Sequence, residues 1–182
     1  MAGPAAPRLD PRAPLVLDTR QLPRRPGTQR LVHVDAPAPG DLGTPMLGVP
    51  VGAPLSIDVR LEAVVEGVLV TAHVDAPLAG ECGRCLDPVV SAIGVDVQEL
   101  YAYPDREVPA DDDAELPVLV GDLLDLEPLL RDAIVLALPL TPLCTPDCAG
   151  LCPGCGERLD DLPAEHAHGD AVDPRWAALR SL

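Results

Sequence analysis

The sequence predicts an α+β fold with an antiparallel β-sheet core, one main helix and a cysteine-rich C-terminal region. Two segments of the 182-residue chain alternate apolar and polar side chains, which is typical of strands with one buried face. A later segment repeats apolar residues at helical spacing, and four of the six cysteines follow it. Together these patterns place a sheet before the helix and a cysteine-rich segment after it.

The two alternating segments are predicted to form an antiparallel hairpin. The first runs from Leu55 to Leu61 and the second from Val68 to Val74. Glu66-Gly67 between them is typical of a turn. A third strand is predicted at Val89 to Val97, so the turn from Cys82 to Cys85 lies at the tip of a second hairpin.

The main helix is predicted between Leu126 and Ala137. Asp122 or Asp125 can cap its start, and Glu127 can pair with Arg131 four residues later. Three smaller features are also predicted: short extended segments at Leu15–Leu17 and Leu31–Val34, a solvated loop over residues 104–117, and a short helix from Asp173 to Leu179.

Changes in composition divide the chain into three predicted regions. Residues 1–54 form a Pro/Arg-rich N-terminal arm, because proline and glycine interrupt them repeatedly. Residues 55–143 contain the sheet and the helix. Residues 144–182 form a Cys/His-rich module that ends in the short helix.

The composition excludes several classes of protein. Hydrophobic residues make up 47% of the chain, so it can bury an aliphatic core and wholesale disorder is not expected. No apolar run approaches the roughly 18 residues that a membrane span needs, and the N-terminus lacks the apolar core of a signal peptide. We therefore expect a cytoplasmic protein that does not enter a membrane.

The formal net charge of −16 is unevenly distributed. Residues 1–30 carry a net charge of +4, and the rest of the chain carries −20. An acidic body repels nucleic-acid phosphates and suits a basic partner, whereas the basic arm can contact RNA through Arg20, Arg24 and Arg25. The alternative is that the charge of the body only keeps the protein soluble.

The six cysteines have the spacing of metal ligands. They follow the patterns Cys82-x2-Cys85 and Cys144-x3-Cys148-x3-Cys152-x2-Cys155. A C-x2-C turn directs two thiolates to one tetrahedral ion at about 2.3 Å, and cysteines of a cytoplasmic chain are metal ligands or redox groups more often than disulfides. A thioredoxin-like pair opens a helix after a strand, which neither pair does, so structural zinc is the favoured interpretation.

Six sulfur atoms exceed one tetrahedral site, so further ligands are expected. His166 and His168 follow the last cysteine pair and project to the same side of an extended segment. The favoured prediction is two zinc sites, one built from Cys82, Cys85, Cys144 and Cys148 and the other from Cys152, Cys155, His166 and His168. One alternative is a single site of Cys82, Cys85, Cys152 and Cys155. Another is that both histidines are merely solvated. His33 and His73 are weaker candidates, and His73 is expected at the surface.

No motif of the chain supports an enzyme. The sequences H-E-x-x-H, the P-loop and G-x-S-x-G are absent, and no small-molecule substrate is expected. Two non-catalytic classes remain: a zinc-stabilised factor, and a cysteine-based redox or zinc-availability sensor whose thiolates release metal on oxidation.

Six short motifs occur in order along the chain. They are VVEGVLV at residues 64–70, ECGRCL at 81–86, DLEP at 125–128, LALP at 136–139, CTPDCAGLCPGCG at 144–156 and DPRW at 173–176. In this order they resemble the bacterial YceD family, the large ribosomal RNA subunit accumulation proteins, over about residues 15–182. The absence of Lys and Asn indicates a high-GC genome of actinobacterial type.

The resemblance implies a cytoplasmic, non-enzymatic factor that 23S ribosomal RNA needs to accumulate, and hence a role in large-subunit biogenesis. The expected partner is a ribosomal RNA precursor, contacted by the arm, or a basic large-subunit ribosomal protein, shielded by the acidic body. In that family a C-x-C pair often follows the last C-x2-C pair. His166-Ala167-His168 stands in that place here, which favours both histidines as ligands.

Overall fold

The computed structural model describes residues 8–105 and 116–168. Within these residues the strands are β1 Val16–Asp18, β2 Gln29–Pro37, β3 Leu47–Gly48, β4 Pro54–Ala63, β5 Gly67–Glu81, β6 Pro88–Ala102 and β7 Leu123–Asp125. One α-helix, α1 Glu127–Ala137, follows them, and a 3-10 turn covers Leu159–Asp161. The strands named here pair antiparallel, which confirms the predicted α+β fold with an antiparallel sheet and one main helix.

The main sheet has the spatial order β2-β4-β5-β6, and β3 pairs with the end of β5 beyond β4. The predicted hairpin is β4 and β5, whose register joins Ala63 to Val68. The second hairpin is longer than predicted, because β5 and β6 pair from Gly67 opposite Ala102 to Glu81 opposite Pro88. Its tip therefore projects past the rest of the sheet and carries the first cysteine pair there.

One face of the main sheet is covered by α1 and by the small sheet of β1 and β7. Ile57 and Val70 are fully buried and belong to the same hydrophobic core as Leu126, Leu130 and Ile134 at the helix. The alternation that predicted the strands arises from this one-sided burial. The opposite face remains open within the described residues. None of the described helices is long and apolar enough to cross a membrane.

The N-terminal region contributes an edge strand to the main sheet. The expected segment Leu31–Val34 is the middle of β2, which pairs with β4 along all nine of its residues. Leu31 is apolar, but it points to the open face and is 79% exposed. Because Val32 beside it is also apolar, this part of β2 does not alternate apolar and polar residues in the sequence. The other expected segment, Leu15–Leu17, overlaps β1. The division of the chain into three regions stays a prediction.

The helix follows the expected local chemistry. The Glu127 carboxylate lies 2.6 Å from the Arg131 guanidinium, as the four-residue spacing predicted. The predicted cap is wrong in position, because the N-cap is Leu126 and has no side-chain cap hydrogen bond. Asp125, one residue earlier, accepts a hydrogen bond through Oδ1 from the Glu127 backbone N–H at 3.0 Å. The predicted short helix from Asp173 lies outside the described residues, as does most of the predicted loop 104–117.

Candidate metal centres

The tip of the β5–β6 hairpin holds Cys82 and Cys85 in a tight turn. The Leu86 N–H donates to the Cys82 carbonyl at 2.9 Å, and the Cys82 N–H donates to the Asp87 carbonyl at 2.8 Å. Leu86 takes a positive φ of 64° to close the turn. Both sulfur atoms consequently project from one side of the hairpin tip.

The segment after α1 brings a second cysteine pair to this tip. The Gly83 N–H donates to the Pro142 carbonyl at 2.8 Å, and the Arg84 guanidinium donates to the Cys148 carbonyl at 2.8 Å. These contacts hold Cys144 and Cys148 against the hairpin. The resulting group, Cys82, Cys85, Cys144 and Cys148, is called the hairpin site below.

The hairpin site has the dimensions of a tetrahedral metal site. Its four sulfur atoms lie within 4.8 Å of one another. The Sγ atoms of Cys82 and Cys148 are 3.8 Å apart, and those of Cys85 and Cys144 are 3.5 Å apart. A tetrahedron with Zn–S bonds of about 2.3 Å has edges of about 3.8 Å. Three of the sulfurs belong to buried residues and Cys144 is half-buried, so the donor set fits a closed structural site.

The surroundings of the hairpin site favour the thiolate form at Cys82 and disfavour it at Cys85. Burial acts to raise the pKa of the Cys82 thiol, but backbone N–H groups of Cys85, Arg84 and Cys144 outweigh it and lower that pKa to about 6. A backbone hydrogen bond from Asp87 acts to lower the pKa of Cys85, but burial and the neighbouring thiols raise it to about 12. The negative charge of the first thiolate thus disfavours ionisation of the other thiols. A divalent cation offsets that repulsion.

A second group forms within the last described segment. Cys152 and Cys155 occupy a turn in which the Gly156 N–H donates to the Cys152 carbonyl at 2.7 Å. His166 Nε2 lies 3.5 Å from Cys155 Sγ and 2.9 Å from His168 Nε2. The group Cys152, Cys155, His166 and His168 is called the tail site below.

The donor atoms of the tail site also lie within 4.8 Å of one another. Two thiols and two imidazoles are a donor set that binds zinc. Backbone N–H groups of Gly154 and Cys155 lower the pKa of Cys152 to about 6, which favours its thiolate. Only Cys152 is buried in this group, whereas Cys155 and His168 are exposed. The tail site therefore fits a metal ion that water can reach.

The structure groups the predicted ligands in two sets of four, with the membership that the two-site prediction gave them. The single-site alternative requires Cys82 and Cys85 to share a site with Cys152 and Cys155, but the two pairs lie in different groups. That these groups bind zinc stays a prediction.

The structure also places the arginines that sequence analysis proposed for RNA contact. Arg20 forms an ion pair with Asp18. Arg24 lies 3.3 Å from the Asp122 carboxylate and stacks over the ring of Tyr103 at 4.5 Å. Acidic groups of the same chain thus offset two of these three charges, while Arg25 is exposed.

The open face of the main sheet carries one further arrangement, which the sequence patterns did not predict. His33 pairs with Asp58 at 2.8 Å, and His73 pairs with Asp96 at 2.7 Å. A signal was present, because the five residues His-Val-Asp-Ala-Pro occur twice, at 33–37 and at 73–77. His73 lies at the surface, as expected.

The chain is similar to several known proteins. It matches the YceD family, described as large ribosomal RNA subunit accumulation proteins, over residues 70–182. Uncharacterized proteins of Mycobacterium bovis and Mycobacterium tuberculosis are each 43% identical over 178 residues, which cover 97% of this chain and 84% of theirs. An uncharacterized protein of Mycobacterium leprae is 38% identical over 172 residues, covering 93% of this chain and 78% of its own. No solved structure is significantly similar to the chain.

Proposed function

We propose that this chain, which belongs to the YceD family, is a non-enzymatic, zinc-stabilised cytoplasmic factor that supports accumulation of 23S ribosomal RNA. The description of the family implies a role in accumulation of the large ribosomal RNA. A biogenesis role requires a stable binding surface and no chemical step. The absence of the common catalytic motifs from the sequence is consistent with this, and no small-molecule substrate is expected.

The hairpin site is the observation that supports zinc stabilisation. Its sulfur atoms come from a hairpin tip and from a segment 59 to 66 residues later, and they meet at the spacing of a tetrahedral site. Zinc bound there supplies a cross-link between the sheet and the segment after α1. Hydrogen bonds of Arg84 and Gly83 also join the two segments beside the ligands.

The partner is either a ribosomal RNA precursor or a basic large-subunit ribosomal protein. The ion pairs of Arg20 with Asp18 and of Arg24 with Asp122 offset charges that RNA contact requires. The rest of the chain carries a net charge of −20 and repels phosphates. We therefore favour a basic protein as the direct partner, with the effect on RNA following from its assembly.

The ratio of 23S to 16S ribosomal RNA in cells tests this function. A strain that lacks the gene is expected to have a lowered ratio, and the parent gene restores it. The Cys85→Ser gene is expected to restore it poorly because the hairpin site is incomplete. An unchanged ratio in the deletion strain would refute the proposed role. The metal content of the purified parent chain tests zinc separately, and about two equivalents per chain are expected.

The exposed tail site favours a second candidate function, a redox or zinc-availability sensor. Cys155 is exposed, so an oxidant such as hydrogen peroxide can reach its thiolate and form a disulfide with Cys152, with release of zinc and reduction of the peroxide to water. Zinc release at low peroxide, with a matching change in the 23S to 16S ratio, would favour the sensor. A ratio that stays constant while zinc leaves would favour the purely structural role.

A further inference from the structure

The open face of the main sheet carries a repeated histidine–aspartate arrangement. Antiparallel register places His33, Asp58, His73 and Asp96 opposite one another in a single row across β2, β4, β5 and β6. The next row contains Asp35 on β2 and Asp75 on β5, both opposite a serine of β4. The repeated pentapeptide produces this pattern, because each copy supplies one histidine and the aspartate two residues later.

Each histidine lies between two carboxylates. His33 Nδ1 is 2.8 Å from Asp58, and its Nε2 is 3.3 Å from Asp35. His73 Nδ1 is 2.7 Å from Asp96, and its Nε2 is 3.6 Å from Asp75. These contacts join each histidine to one carboxylate on its own strand and one on a neighbouring strand. The hydrogen bonds to Asp58 and Asp96 raise the pKa values of the two histidines.

The row and its neighbours form a concentrated negative surface. The charged groups on this part of the face are Asp35, Asp58, Glu62, Asp75 and Asp96, with Arg60 as the single cation among them. Their net charge is −4 when both histidines are neutral and −2 when both are protonated, the form that the raised pKa values favour. The four aspartate side chains are 68% to 88% exposed, so their carboxylates are accessible from solvent.

We infer that the open face is a docking surface for an extended, Lys/Arg-rich segment of a basic protein. Charge complementarity favours this occupant, since a phosphate chain would be repelled from this face and a basic segment attracted to it. The inference rests on the proposed function only for the cellular identity of that protein.

The spacing of the aspartates fits such a segment. Asp35, Asp58, Asp75 and Asp96 form a zigzag across four strands, and three strand spacings of about 4.8 Å give it a length of about 14 Å. In an extended chain, alternate residues lie about 6.7 Å apart on one side. Three basic residues at alternate positions therefore span the zigzag. Leu31, exposed beside His33, offers an apolar contact at the edge.

The test uses the full chain with its metal and a labelled peptide of sequence Gly-Arg-Ser-Arg-Ser-Arg-Gly. Fluorescence anisotropy measures its affinity for the parent and for the Asp58→Asn/Asp96→Asn variant. The matched control is Asp41→Asn/Asp132→Asn, which removes the same charge on the helix side, where the Arg131 guanidinium of α1 donates to the Asp41 carbonyl. Asp41 has a φ of 61°, a conformation that asparagine tolerates.

The face variant is expected to bind the peptide at least about tenfold more weakly than the parent, and the control within about threefold. Equal weakening in both variants would mean that net charge alone attracts the peptide, and it would overturn the docking surface. A single-stranded RNA of 20 nucleotides is the second probe. The docking surface would also be overturned if this RNA bound the parent more tightly than the peptide does and the face variant lost that RNA binding.

A second variant keeps the test decisive if the double variant does not fold. Ser56→Arg adds a positive charge between Asp35 and Asp75 without removing a histidine partner. It is expected to weaken peptide binding as well, and an unchanged affinity contradicts the proposal. The 23S to 16S ratio is measured separately in cells. Loss of peptide binding with a normal ratio supports the surface and counts against the proposed function.

Discussion

The hairpin site and the tail site have the same number of ligands but differ in burial and in what they connect. The hairpin site joins residues separated by 59 and 66 positions, and three of its four cysteines are buried. In the tail site, Cys155 and His166 are 11 positions apart and His168 is exposed. One site cross-links distant parts of the fold, and the other closes a local loop.

This difference predicts unequal effects on folding. Loop-closure entropy grows with the logarithm of loop length, so closing the longer loop constrains the unfolded chain by about 1.5 kcal/mol more. The hairpin site is also more buried than the tail site. Ligand loss at the hairpin site should therefore destabilise the whole fold, and ligand loss at the tail site should act locally.

The largest effect is expected from Cys85→Ser. This variant leaves two buried sulfur atoms and the half-buried Cys144 without a complete site, so the metal cross-link between the hairpin and the segment after α1 is lost. We expect the melting temperature to fall by on the order of 10 °C and the hairpin to become sensitive to protease. Calorimetry and limited proteolysis measure this. An unchanged melting curve contradicts a structural role for the hairpin site.

Cys155→Ser is the matched change in the tail site. It removes one exposed sulfur, so the bound zinc should fall by about one equivalent while the melting temperature changes by no more than about 3 °C. Metal analysis and calorimetry of both variants give the comparison directly. A fall as large as that of Cys85→Ser would show that the two sites do not differ as their burial indicates.

Local patterns predicted the fold where one face of an element is buried. The alternation of residues 55–61 and 68–74 predicted β4 and β5 because the core lies under them. The pattern failed for the end of β6, which continues past Val97 to Ala102. Here the Tyr101 hydroxyl donates to the Asp125 carbonyl at 2.8 Å, a contact with a distant segment that no local pattern contains.

The candidate sites show the same limit. Spacing indicated the cysteine pairs, because a C-x2-C turn is a local structure. Which pairs share a site depends on topology, and the structure brings Cys144 and Cys148 to the hairpin tip through backbone contacts such as that of Gly83 with Pro142. The histidine–aspartate row was missed because its members come from four strands, although the repeated pentapeptide gave a signal.

Chelation should separate the two sites kinetically. With a chelator in excess, the solvent-accessible tail site is expected to lose its zinc in a fast phase, and the hairpin site in a slower one that requires local opening. A metal-indicator dye follows both phases in the parent chain. In Cys155→Ser only the slow phase should remain. A single fast phase of two equivalents in the parent would contradict the difference in burial.

The smallest effect is expected from glycine substitutions that leave every ligand in place. A Cβ at Gly154 would overlap the imidazole of His168, whereas a Cβ at Gly83 would meet a methyl group of Thr141 at 2.9 Å, which side-chain rotation can relieve. Gly154→Ala should therefore displace His168 and weaken zinc at the tail site by about tenfold, with little change in melting temperature. Gly83→Ala should leave both sites filled in the same chelator competition. If Gly154→Ala binds zinc as tightly as the parent, His168 is not a ligand, and the tail site must complete its coordination with water.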